Sequence, residues 1–79
     1  MADVRVVDVV GFHCPVPVHE TRKALSEMES GSVLEVISDD KESLYDIPAL
    51  CDRMKIKLMA VEEEAGEYIF RILNAVVNE

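Results

Sequence analysis

The sequence predicts an α/β two-layer sandwich of order β-α-β-α-β-β, with a four-stranded mixed sheet and two helices on one face. Three observations point to it. β-branched runs alternate with stretches whose apolar residues recur at helical spacing. Two alternating segments meet at Ala65-Gly66, a hairpin signal late in the chain. The 79 residues suffice for a single domain, 1–79, since a chain of this size buries only about 60% of the surface it exposes when unfolded. Right-handed crossovers then place both helices on the same side of the sheet.

Each element has its own warrant. Residues 4–10, VRVVDVV, are β-branched and stop at Gly11, which reads as a first strand. Val18, Thr21, Leu25 and Met28 recur at intervals of three and four, so a helix is expected after the prolines, running to about Glu29 and closed by Gly31. Residues 32–38, SVLEVIS, are largely apolar on both faces, as an inner strand requires. Asp39, Asp40 and Ser43 are helix-start residues, and Leu44, Ile47, Leu50, Cys51 and Met54 keep helical spacing. Because Pro48 fits a first turn and not an interior, the regular second helix is expected to begin at Asp46, after an irregular turn. Residues 57–63 and 67–73 complete the hairpin. Val7, Val9, Val36, Met59 and Val61 are expected to leave apolar surface on the open face of the sheet, compatible with a monomer or a weak dimer.

Composition excludes several classes. With 49% hydrophobic and 30% charged residues the chain is too apolar for intrinsic disorder. No apolar run approaches the roughly 18–20 residues that span a bilayer, and MADVRVVDVV lacks the regions of a signal peptide, so a cytoplasmic protein without a membrane role is expected. Sixteen acidic against eight basic residues give a net charge of −8. That field opposes binding to phosphate backbones, so direct nucleic-acid binding is not expected. Cys14 and Cys51 fall in segments read as separate helices and are expected to be free thiols.

The chemistry concentrates in GFHCPVPVHE, residues 11–20. Pro15 has no N–H to donate, which costs nothing in a first helical turn, so Cys14 is expected at or just before the start of the first helix. The positive end of the helix dipole favours the thiolate there, and the thiolate is the nucleophilic form. Pro15 and Pro17 stiffen the segment, so the sulfur is presented with little ordering cost when a partner docks.

GFHCPVPVHETRKAL resembles the CPxP signature of the TusA/SirA family of small sulfur-carrier proteins. Gly31, Ser38-Asp39-Asp40, residues 46–51 (DIPALC) and the final hairpin extend the resemblance over almost the whole chain. It implies a sulfur relay in which Cys14 accepts a sulfane sulfur as a persulfide from a cysteine desulfurase or rhodanese-type donor and passes it to a downstream acceptor protein. Members of the family serve tRNA thiolation, molybdenum cofactor assembly or sulfur oxidation. Attack of a thiolate on a terminal persulfide sulfur is the same displacement as thiol–disulfide exchange and needs no cofactor. Arg22 matches a basic position of the family beside the cysteine, and with His13, Pro15 and Pro17 it is assigned to partner binding.

Blander roles compete at several positions. His13 either stabilises the thiolate or steers a partner, or is a solvated loop residue. His19 reads as a helix-surface residue. His13, Cys14 and His19 match no standard zinc spacing, so no metal site is expected. Cys51 shares its helical spacing with Ile47 and Met54 and reads as core, not as a resolving thiol. The alternative function is a redox or regulatory adaptor in which Cys14 forms mixed disulfides or shapes a docking loop, although CPVP lacks the CxxC pair of thioredoxin-type enzymes.

Overall fold

A computed structural model describes residues 4–13 and 15–76, and the side chain of Val76 is not among the described groups. Six elements follow in order: β1 (Val4–Asp8), α1 (Val16–Glu27), β2 (Val33–Ser38), α2 (Ser43–Met54), β3 (Ile56–Glu64) and β4 (Glu67–Val76). The sheet order is β1-β2-β4-β3. β1 runs parallel to β2, and β4 is antiparallel to both β2 and β3. The expected four-stranded mixed sheet with two helices is therefore the observed architecture.

Strand alternation explains where the core sits. On β2, Leu34, Val36 and Ser38 are buried, and their register partners on β4, Ile72, Phe70 and Tyr68, are buried with them. Ala24 and Leu25 of α1 and Ile47 and Cys51 of α2 join the same cluster, which puts both helices on one face. Phe70, Leu34, Ile47, Ile72 and Val36 are each fully buried, worth about 1.5–3 kcal/mol apiece relative to exposure.

Four boundaries or faces differ from the sequence expectation, each for a local reason. β1 ends at Asp8, not Val10, because the Val10 N–H turns back to Asp8 Oδ1 at 3.0 Å, although the Val9 N–H still donates to Ile37 O at 2.8 Å. α1 ends at Glu27, since Met28 is already extended (φ −95°, ψ 153°). α2 starts at Ser43, not Asp46, and Pro48 lies inside it. An interior proline loses its own N–H bond and crowds the carbonyl four residues back, a cost offset here because the first turn is held from outside: Ser43 Oγ and Ser38 Oγ share a buried hydrogen bond of 2.8 Å, and Glu42 N–H donates to Asp40 Oδ1 at 3.0 Å.

The open face is also differently populated. Val36 and Val9 are buried and Val7 packs against the core, because the parallel register sets Val7 opposite Val36. Val4 and Val6 point the other way and are exposed; Met59 is exposed on the edge strand as expected, whereas Val61, also exposed, is paired with Phe70 and so lies on the helix-bearing face. Across that face Arg71 pairs with Glu35 at 2.9 Å and with Glu62 at 2.8 Å. The Glu35 hydrogen bond and the Glu62 charge hold the guanidinium even more firmly charged than usual. The hairpin turn has positive φ at both Ala65 (51°) and Gly66 (82°), the backbone of a type I′ turn.

Candidate functional site

Cys14, on which the expected chemistry rests, lies outside the described residues. The segments on either side of it in the chain are described. β1 hands over to a tight turn closed by Phe12 N–H to Val9 O at 3.1 Å. Gly11 takes φ +89° at its third position, and its N–H donates to Asp39 Oδ1 at 3.0 Å. The chain then enters α1, where Val16 N–H donates to His13 O at 2.9 Å and His19 N–H to Pro15 O at 3.0 Å.

The prolines divide their roles. Pro15, expected in the first turn, is the N-cap of α1 (φ −98°, ψ 10°), and Pro17 is the residue in the first turn. Pro17 is fully buried, so it shapes the helix start and is not a surface for partners. His13, Pro15 and Arg22 are exposed. No acidic residue occupies the first turn of α1 and no side chain caps it, so the positive end of its dipole is not neutralised locally. The first-turn amides are less available than the sequence suggests, since Val16 N–H is already spent on His13 O and Pro17 has none.

A cleft of about 290 Å³ opens between α1 and α2, beginning at Pro15. From α1 it takes Val18, His19 and Arg22; from α2 it takes Asp46, Ala49, Leu50 and Arg53. Positions 15, 18, 19, 22 and positions 46, 49, 50, 53 repeat the same spacing of i, i+3, i+4 and i+7, so each set forms one helical stripe and the two stripes face each other. The ion pairs among the described residues engage Arg5 and Arg71, not Arg22 or Arg53. Two guanidinium groups therefore line one apolar-floored groove in a chain of net charge −8.

Pro15 and Arg22 were expected at the site and are brought together. His13 is exposed in the loop but does not line the cleft. His19, read as a surface residue, lines it, and so do Asp46 and Arg53, which sequence reasoning passed over. Their shared stripe was the available signal. Outside the cleft lining, Phe12 and Val16, on either side of Cys14 in the chain, are exposed apolar side chains, as is Tyr45 in the first turn of α2.

Cys51 stands apart. It is buried, and desolvation pushes its thiol up to about 11 from an ordinary 9.0. That thiol is protonated and inaccessible at neutral pH, unsuited to resolving a disulfide. Among the described residues no three His, Cys, Asp or Glu side chains are grouped to hold a metal, and no helix is long and apolar enough to cross a membrane.

Residues 5–74 match the family model described as Sulfurtransferase TusA. The chain belongs to the TusA family. Within the family it is 35% identical over 77 residues to a protein of Archaeoglobus fulgidus named a putative sulfur carrier protein, covering 96% of this chain and 97% of that one. It is 38% identical over 66 residues to the sulfur carrier protein TusA of Pseudomonas entomophila, covering 84% and 82% of the two chains. The crystal structure of a SirA-like protein from Desulfitobacterium hafniense has the same fold, with a TM-score of 0.80 and 27% identity over 91% of this chain and 97% of that one. A sulfur-carrier role is thus supported by family membership and by the names of relatives over nearly the full length of the chain.

Proposed function

We propose that this TusA-family protein carries sulfane sulfur as a persulfide on Cys14, in the cytoplasm, and docks its donor and acceptor proteins on the cleft between α1 and α2. In the loading step the Cys14 thiolate attacks the terminal sulfur of a donor persulfide. A bond forms between Cys14 Sγ and that sulfur, the donor's S–S bond breaks, and the donor leaves as a thiolate. Unloading repeats the exchange in reverse, with an acceptor thiolate attacking the carried sulfur and Cys14 leaving. No net oxidation occurs, so no cofactor is consumed.

The observation that carries this reading is the cleft itself, which starts at Pro15, the residue next to Cys14, and presents Arg22 and Arg53. Two arginines against the single carboxylate of Asp46, beside apolar side chains, favour a partner surface with carboxylates around an apolar anchor. The unneutralised start of α1 adds a favourable field for a thiolate at its edge. His13, exposed next to Cys14 in the chain and outside the cleft lining, is assigned to contact with a docked partner at the cysteine loop.

The test is incubation with a cysteine desulfurase and cysteine, or with a rhodanese-type donor and thiosulfate, followed by intact mass measurement. Addition of one sulfur atom to the wild-type protein and none to Cys14→Ser is expected. A protein that gains no sulfur, or gains it equally in Cys14→Ser, is not a carrier on this residue. The redox alternative is less well served, because Cys51 is buried and protonated.

A further inference from the structure

We infer that Asp39 is a positioning residue for the cysteine loop, acting as a latch that holds the turn at residues 9–12 in one of its two peptide orientations. This rests on the carrier reading above only for its functional consequence. The turn itself is defined by described atoms: Phe12 N–H donates to Val9 O at 3.1 Å, and Gly11, at the third position, has φ +89° while Val10 is not in the positive-φ region. That pattern is a type II turn.

Type I and type II turns share the closing hydrogen bond and differ by a flip of the central peptide. Here the central peptide joins Val10 to Gly11, so the direction of the Gly11 N–H distinguishes the two forms. Asp39 Oδ1 accepts that N–H at 3.0 Å, across 28 residues of sequence from the loop following β2. The bond exists only in the observed orientation. A flip would turn the Gly11 N–H away from the carboxylate and redirect the chain that leads through His13 to Cys14 and the start of α1. The link also ties the β1–α1 loop to the entry of α2, whose Asp40 and Ser43 are themselves anchored at Glu42 N–H and Ser38 Oγ.

Gly11 supplies an independent handle on the same equilibrium. A Cβ built there meets nothing within 4 Å, so Gly11→Ala acts through its backbone alone, by disfavouring positive φ and hence the type II form. Asp39→Ala and Gly11→Ala should therefore produce one phenotype by two routes.

The experiment compares wild type, Asp39→Ala, Asp39→Asn, Gly11→Ala and the Asp39→Ala/Gly11→Ala double variant. The readouts are the pH profile of Cys14 alkylation by iodoacetamide and the rate of sulfur loading from a desulfurase. Asp39→Ala is expected to slow loading on the order of tenfold and to move the alkylation midpoint. Asp39→Asn, which retains an acceptor oxygen, restores both to near wild type, and the double variant is no worse than the more affected single. A merely structural role would lower thermal stability without moving the midpoint. The latch is overturned if Asp39→Ala leaves midpoint and loading unchanged, if Asp39→Asn is as impaired as Asp39→Ala, or if the two single effects multiply in the double variant. Should the wild-type protein accept no sulfur, the carrier reading fails, and the alkylation profile still decides the latch.

Discussion

Asn74 Nδ2 donates to Met28 O at 3.2 Å, so a side chain on β4 caps the C-terminus of a helix 46 residues earlier in the chain. The same amide lies 3.2 Å from Leu25 O and from Glu29 O, and the Asn74 backbone exchanges hydrogen bonds with Gly31 and Ser32 at 2.8 Å. Helix-end carbonyls without such partners are costly when partly buried. Asn74→Ala is expected to destabilise the fold by about 1–2 kcal/mol. Chemical denaturation should show a lower midpoint with an unchanged slope.

The hairpin turn holds the opposite opportunity. Ala65 sits at φ 51°, a conformation that costs a residue with a Cβ roughly 1–2 kcal/mol and that asparagine tolerates better. Ala65→Asn should therefore stabilise the protein by about 0.5–1 kcal/mol, raising the melting temperature by several degrees. No change in sulfur loading is expected, because the turn lies outside the cleft residues.

Cys51 has a raised pKa in the fold, about 11 against 9.0 ordinarily. Its contribution to stability is complete below about pH 9, where both folded and unfolded chains keep the proton. As pH rises from 9 to 11 the unfolded chain releases that proton first, so stability falls across this window. Denaturation midpoints measured along an alkaline series should decline more steeply in the wild type than in Cys51→Ala. At pH 7.5, iodoacetamide should label Cys51 only after unfolding.

Arg22 and Arg53 are exposed and outside the ion pairs of the described residues, so replacing them removes little from the fold. Arg22→Gln and Arg53→Gln should each change stability by less than about 0.5 kcal/mol. Loading from a protein donor should slow on the order of several-fold at low salt, with the deficit shrinking above about 0.15 M salt as screening takes over. Loading from a small persulfide donor should be unaffected. Loss with both donors would mean that the arginines act on the thiol and not on docking.

Much of the architecture was legible because period and punctuation agree along the chain. Val33 to Ser38 alternates and is bounded by Gly31 and Asp39; Ala65-Gly66 breaks an otherwise continuous alternation. Pro48 misled the reading of α2, since local preference places proline at a helix start. The Ser38–Ser43 bond that holds the earlier turn in place joins residues of two elements. The open face was misassigned for a related reason: alternation shows that β1 has two faces but not which one meets the helices. That is fixed by the register of Val7 against Val36.

The sequence by itself determined the element order, the candidate nucleophile, the stiff proline frame around it and membership in the TusA family, because these depend on residues close together or on pattern along the chain. Tertiary structure decided that Arg53 and Asp46 share a cleft with Arg22, that Pro17 is buried while Pro15 is not, and that Asp39 reaches Gly11. Each of those depends on how two helices and two loops pack over one sheet. Packing brings distant residues within a few ångströms without leaving a mark on the spacing of either segment.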